Sequence, residues 1–265
     1  MAPALHLART QNYSTRLKVN PMFRASLLTA LAVTSLIPAC TTSQIDDEFA
    51  EETAADGEAG KADSADAFTY YNLLPDSRRC FVNDGECGVG YFVSRANRST
   101  TQCSRGPAQE QCKVFTIDWS GTAMPESVAK SYEEGLRAGK PLIVRGSLVP
   151  APDDRGSVLA VTEIWVASSP EWVDGVFTLV HDNGIRCIKA PCPSLTERKL
   201  NSNLSAQLSE IDLEASGVEG DALDRAHEQV YGDGLIVVGY RYSDKAGGKG
   251  RTANKFFTKA PVPLH

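Results

Sequence analysis

Catalytic equipment is what this chain has least of. Four histidines occur in 265 residues. His6 falls in an N-terminal leader-like stretch and His265 is the last residue, which leaves His181 and His227 as the imidazoles of the chain's body. No Gly-x-Ser-x-Gly elbow, His-Glu-x-x-His pair or Walker loop is present, so the chemistries that need those spacings are not signalled. The glycines of Ala246–Arg251 lie between two apolar runs and open no helix, and so read as a hairpin turn instead of a phosphate cradle. Asn83-Asp84-Gly85-Glu86 lacks the alternating carboxylates of a calcium loop and reads as a tight turn. No cofactor and no metal is expected. Positive charge is also short: the formal net charge is −6, and residues 67–265 carry 22 basic against 24 acidic side chains. A near-neutral body argues against nucleic acid as a partner.

What is present begins with an address. Residues 1–39 hold Arg9, Arg16, Lys18 and Arg24 with no acid and lead into the apolar run SLLTALAVTSLIPAC, the layout of a secretory signal peptide and too short to span as a mature helix. The run ends Ile37-Pro38-Ala39-Cys40, which resembles the bacterial lipobox, so Cys40 is expected to be acylated and to become the mature N-terminus. The segment from Met22 to Ala39 alone would make a signal of ordinary length. Thr41, rather than the aspartate that retains lipoproteins at the inner membrane, points to the outer membrane of a bacterial envelope. Residues 40–66 then form an acidic tether, with nine acids against Lys61, expected to be disordered with a reach of roughly 30 Å.

Beyond the tether the chain repeats itself. Phe68 matches Phe177 at an offset of 109, Arg79-Cys80 matches Arg186-Cys187 at 107, Cys87 matches Cys192 at 105 and Asn97 matches Asn201 at 104. Ile117-Asp118 matches Ile211-Asp212 at 94, and Leu142–Gly146 (LIVRG) matches Leu235–Gly239 (LIVVG) at 93. An offset that only shrinks is the mark of a tandem duplication with small deletions. The copies are expected at 67–168 and 175–265, as separately folded units with a boundary near Ser169–Trp172. Apart from Cys40, six cysteines remain in an exported chain, which reads as disulfides. The second copy holds only Cys187 and Cys192, so they are expected to pair. By the repeat Cys80 pairs with Cys87, and Cys103 with Cys112 is left. The competing reading, zinc, needs four converging ligands, usually as C-x2-4-C pairs, which these spacings do not supply.

Each copy reads β-β-β-α-β-β. FTYYNLL, YFVSRAN and VFTIDWS are strands, Pro125–Arg137 is a helix with Val128, Ala129, Tyr132 and Leu136 on one face, and LIVRGSLV with VLAVTEIWVA is a hairpin. In the second copy VFTLV, SLTERKL and LSEIDL precede a helix from about Asp221 to Tyr231, with Leu223, Ala226, His227 and Val230 inward, then the hairpin of LIVVGYRY and ANKFFTKA. The fold class is α+β, mostly β, as a tandem duplication of this unit. The order is the one used by OB-like barrels, with the helix between strands three and four; a generic α+β sheet with a covering helix is the competing arrangement. The loop GIRCIKAPCPSL, the strand IDWSG and the closing VTEIWVA together resemble an uncharacterised domain family of predicted secreted bacterial lipoproteins, over nearly all of 67–265. That resemblance implies no activity.

The remaining candidates are few. His181 beside Asp182 is either a polar loop pair or an acid/base dyad, and His227 is half-buried packing. Trp119 and Trp165 read as core, and Trp172 as a contact residue. Lys245, Lys249, Arg251, Lys255 and Lys259 gather on the last hairpin, either as a solvated edge strand or as a site for an anionic polymer. Ile188-Lys189-Ala190-Pro191, clamped between Cys187 and Cys192, is a candidate binding loop, because a closed loop pays less entropy on binding. These features point to a non-enzymatic binding module whose partners are the membrane, through the lipid anchor, and an envelope protein or glycan. The alternative is an inhibitor of an extracellular enzyme, a protease, acting through the clamped loop.

Overall fold

The computed structural model describes residues 69–78, 90–152 and 156–261; the signal peptide, Cys40, the acidic tether, Cys80 and Cys87 lie outside the described residues. Consecutive strand side chains point to opposite faces, and a strand wetted on one face should alternate. The run Leu142-Ile143-Val144 does not alternate, and the structure shows why. Leu142 and Val144 enter one core while Ile143 enters another. Leu235 and Val237 likewise turn away from Ile236 and Val238. Both runs are buried on two faces, so every position is apolar.

The described residues form eleven strands and two α-helices: β1 (Thr69–Pro75), β2 (Tyr91–Arg95), β3 (Cys112–Asp118), α1 (Glu126–Arg137), β4 (Leu142–Pro150), β5 (Ser157–Ala167), β6 (Phe177–Asp182), β7 (Leu195–Lys199), β8 (Ser205–Leu208), β9 (Glu210–Asp212), α2 (Asp221–Val230), β10 (Leu235–Ser243) and β11 (Lys249–Lys259). The fold is α+β and mostly β. In the first half β1 pairs antiparallel with β2 and β4, β2 with β3 and β4 with β5, and β3 runs parallel to β5, closing a ring. In the second half β6 pairs with β7 and β10, β7 with β8 and β10 with β11, and β9 runs parallel to β11. The first ring is barrel-like and the second is left open between β8 and β9, each with a helix between its third and fourth strands as the OB-like reading anticipates. In the second ring the segment read as a single strand, LSEIDL, is two: β8 serves β7 and β9 serves β11.

The rings meet where β5 and β11 pair antiparallel, Trp165 to Ala167 against Lys259 to Phe257, making one eleven-stranded sheet. The expected separateness of the copies is therefore replaced by sharing. A core of Tyr70, Ala96, Ile143, Trp165, Phe177, Leu200, Ile236, Val238 and Phe257 draws on both halves, and the described residues fall within one compact unit. The strand register also corrects one matched pair. Tyr71 faces Arg95 on β2 and Thr178 faces Lys199 on β7, so Tyr70, not Phe68, stands where Phe177 stands. The shared Phe-Thr dipeptide was a coincidence of composition.

Local devices recur in both halves. β4 and β5 have a bulge at Arg145/Gly146, and β10 and β11 have one at Val238/Gly239. A Cβ at Gly146 would collide with the Ala160 carbonyl, and one at Gly239 with the Thr252 carbonyl, so glycine closes both repeated pentapeptides. Helix α1 starts after Pro125 and ends near Gly139, whose φ is +87°, both as its sequence suggests. It is tied to the sheet through Glu133, which accepts from Trp119 Nε1 at 2.8 Å and from the Tyr91 hydroxyl at 2.7 Å. Trp119 is thus a hydrogen-bonding core residue. Helix α2 buries Ala226 and Val230 and leaves His227 at its rim, 3.6 Å from Glu214. The bridges Cys103–Cys112 and Cys187–Cys192 are both present, each with Cα atoms 5.5 Å apart.

The interiors of the two rings differ in kind. The first holds Val93 and Leu159, with Leu148 packed against them. At the matching places in the second are Glu197, Arg241 and Arg251. Glu197 is fully buried, and its carboxylate takes Arg241 Nε on one oxygen and Arg251 Nε on the other. A buried charge group of this kind holds together only while all its members are present.

Candidate functional site

The seam between the halves is closed by two asparagines that exchange places. Asn201 of the second half donates Nδ2 to the Tyr70 and Ala96 carbonyls, both at 2.8 Å, and accepts the Tyr70 N–H at 2.9 Å. Asn97 of the first half donates to the Phe177 carbonyl at 2.7 Å and the Leu200 carbonyl at 3.1 Å, and accepts the Phe177 N–H at 2.8 Å. Asn97 and Asn201 sit at positive φ, 58° and 55° respectively, a conformation asparagine tolerates better than most residues. The sequence shows these residues only as the closing Asn of each repeat. Their reciprocal role appears once the chain is folded.

Beside this seam lies a groove of about 740 Å³, floored by Asn72, Ser94 and Arg95 of β1 and β2, walled by residues 97–100 and 110–111, and bounded across the seam by Gly175, Val176 and Lys199. Its polar groups are incompletely satisfied. Asn72 is 9% exposed, and its Oδ1 has no hydrogen-bond partner among the described residues. The buried Nε of Arg95 also lacks one. Lys199 is 5% exposed. Arg98 is held at the rim by donating Nε and Nη2 to the Asn201 carbonyl at 3.0 and 2.7 Å. Sequence reading missed the groove residues, because a polar residue on a strand looks like ordinary alternation until the opposite face is known to be covered.

The sequence candidates fall elsewhere and do not converge. His181 and Asp182 are neighbours on β6 and point to opposite faces. The Asp182 carboxylate is taken by Arg186 at 2.8 and 2.9 Å, which holds its pKa below the ordinary range. His181 keeps a buried Nδ1 with no partner, and among the described residues no hydrogen bond joins the two, so they form no dyad. The basic residues of the last hairpin part ways: Lys245 and Lys249 are exposed, whereas Arg251 and Lys255 are buried. β11 lies inside the sheet, Arg251 is spent on Glu197, and Lys259 reaches Asp233 at 3.1 Å. The fully buried Lys255 donates to the carbonyls of Ser169 (2.8 Å) and Glu171, and burial pushes its pKa down.

Trp165 is buried in the shared core, whereas Trp172 is 40% exposed, stacked obliquely on Phe177 at 6.2 Å with its Nε1 on Asp174. In the clamped loop Ile188 is fully exposed, beside exposed Lys189 and Ala190 and half-buried Pro191. Among the described residues no cluster of His, Cys, Asp and Glu could hold a metal ion, and no helix is long and apolar enough to cross a membrane.

One family model, Domain of unknown function (DUF6748), matches residues 69–261. No curated protein and no solved structure matches the chain.

Proposed function

Starting from a chain that belongs to the DUF6748 family, described as a domain of unknown function, we propose that this protein is an exported, lipid-anchored binding module of the bacterial cell envelope, without catalytic activity, that takes its ligand in the groove beside the seam. The observation that carries the reading is the groove itself, an opening of about 740 Å³ beside the seam whose lining includes Asn72, Ser94, Arg95, Arg98 and Lys199. A concave opening with a few polar groups around it is where a protein surface most readily takes a ligand. The non-catalytic reading is supported by His181 and Asp182 turning to opposite faces of β6 and by His227 lying on α2.

Cleavage at Ala39 and acylation of Cys40 would place the module on the outer membrane at the end of the acidic tether. Duplication of one β-β-β-α-β-β unit accounts for the recurring bulge glycines and the exchanged asparagines. The test has two arms. Fractionation with labelled palmitate should find the wild-type chain in membranes and labelled, and Cys40→Ala soluble and unlabelled; equal behaviour of the two sinks the anchor. Pull-down from envelope extract with the full chain should recover a glycan or envelope protein that Asn72→Leu fails to recover; capture indifferent to Asn72 sinks the groove.

A second reading is favoured by one observation, the full exposure of Ile188 beside Lys189 at the tip of a disulfide-closed loop. A large apolar side chain presented on a closed loop is what a protease cleft accepts from an inhibitor. Stoichiometric inhibition in a panel of secreted proteases, abolished by Lys189→Asp, would establish it.

A further inference from the structure

Beyond the groove, and in addition to the acyl chain expected at Cys40, we infer that two neighbouring loops of the second half form a membrane-docking tip that inserts Ile188 into a bilayer of anionic phospholipid. The bridge Cys187–Cys192 closes the first loop. Ile188 stands out of it at 103% exposure, whereas the next most exposed large hydrophobic side chain among the described residues, Tyr231, is at 66%. The second loop is the turn between β10 and β11. The two lie side by side, since a Cβ placed on Gly248 would come within 2.9 Å of Pro191 Cβ. Lys189 and Ala190 on the first, Lys245, Ala246 and Gly247 on the second, and Lys249 at the start of β11 are all exposed.

Both loops are pinned from within. Asn183 donates Nδ2 to the Pro193 carbonyl at 2.8 Å and accepts the Ile185 N–H at 2.9 Å, and the Ser194 N–H donates to the Cys192 carbonyl at 2.7 Å. In the turn, Asp244 Oδ1 accepts the N–H groups of Ala246 and Gly248 at 2.8 and 2.7 Å. The same bonds decide the charge. The Asp244 carboxylate is directed to its own turn and Asp182 is held by Arg186, so Lys189, Lys245 and Lys249 set a positive field around one apolar point.

That composition suits lipid better than protein. The core of a protein interface is depleted in lysine and broad in apolar area, and here a single isoleucine stands among lysines and small residues. A bilayer needs no matching pocket: the apolar side chain enters the acyl boundary, lysine stems lie along it with their ammonium groups among the headgroups, and anionic lipid attracts the charge. A loop fixed before contact loses little further conformational entropy on insertion.

The chain from Thr41 to His265 keeps the whole compact unit that holds the described residues and carries no acyl chain, so its vesicle binding reports the body alone. Flotation should recover it with vesicles of mixed phosphatidylglycerol and phosphatidylcholine, leave it unbound by pure phosphatidylcholine, and show release on adding salt. Ile188→Ser, and the pair Lys189→Glu with Lys245→Glu, should each weaken binding about tenfold or more. Ile188→Trp should shift its emission to the blue on the anionic vesicles only. Because these side chains are exposed, neither loss variant should lower Tm, which separates docking from a structural role.

Equal recovery on the two kinds of vesicle, or recovery that either loss variant leaves unchanged, overturns the inference. Failure to bind either vesicle overturns it as well, and if the same chain inhibits a secreted protease the tip belongs to the inhibitor reading. None of these results bears on the groove, which no residue of the tip lines.

Discussion

Asp76 carries an assignable share of the protein's pH dependence. Its carboxylate is fully buried and receives Arg78 Nε at 2.8 Å, Arg78 Nη2 at 2.7 Å and the Arg78 N–H at 3.2 Å, with Lys113 Nζ at 3.5 Å. Hydrogen bonding from Arg78, outweighing the cost of burial, holds its pKa well below the ordinary 3.8. A depressed carboxylate stabilises the fold above its unfolded pKa, and that contribution is lost as pH falls through the folded value. Urea denaturation followed from neutral pH downward should therefore show stability falling below about pH 4, with a shallower fall in Asp76→Asn. Parallel acid limbs would remove the assignment. At this scale the sequence was legible in two places: the Cys103–Cys112 and Cys187–Cys192 bridges follow from the repeat, and the glycine after α1 from the helix pattern. It was opaque for Lys255, Arg251 and Asn72, whose environment comes from strands distant in the chain. A charged residue in a hairpin reads as solvated, and these two basic residues are buried.

At the scale of elements the reading went further, because each apolar run exposes its own period. Every predicted strand and both helices are present. The run LSEIDL divides because Ser209 donates its N–H to the Lys249 carbonyl at 2.7 Å and the chain there changes partners, from β7 to β11. Partner exchange leaves no trace in hydrophobicity. The repeated glycines are a sharper case: LIVRG and LIVVG were matched as sequence, and the bulge explains why both end in glycine. Gly239→Ala should cost about 1–3 kcal/mol, since the strand must move away from the Thr252 carbonyl or lose the bulge. Thermal unfolding measures it, and a Tm equal to wild type would show that the close approach is not required.

For the whole molecule, the shared core decides how the protein comes apart. Trp165 is 1% exposed and pairs across the seam through β5 and β11. Trp165→Ala should cost about 3–5 kcal/mol and lower Tm while leaving a single transition. Calorimetric and van't Hoff enthalpies should agree, as for one cooperative unit. Two resolved transitions in the wild-type chain would return the halves to independence. The sequence could not show this sharing, since an apolar strand residue facing its own barrel and one facing the neighbouring barrel are spelled alike.

The crossover from Ser168 to Gly175 has a consequence of a different sort. Lys255 clasps its carbonyls at Ser169 and Glu171, and it lets the first half reach the second within one chain. If the crossover is too short to fold back, the same seam can be completed by a neighbouring chain, each first half docking on the other's second half. Deleting Pro170–Val173 should thus convert the protein into a domain-swapped dimer in which the asparagine exchange and the β5–β11 pairing are preserved. Light scattering would report a doubled mass, and a monomer of unchanged stability would refute the exchange. Lys255 then acts as the residue that selects the chain's own second half over a stranger's.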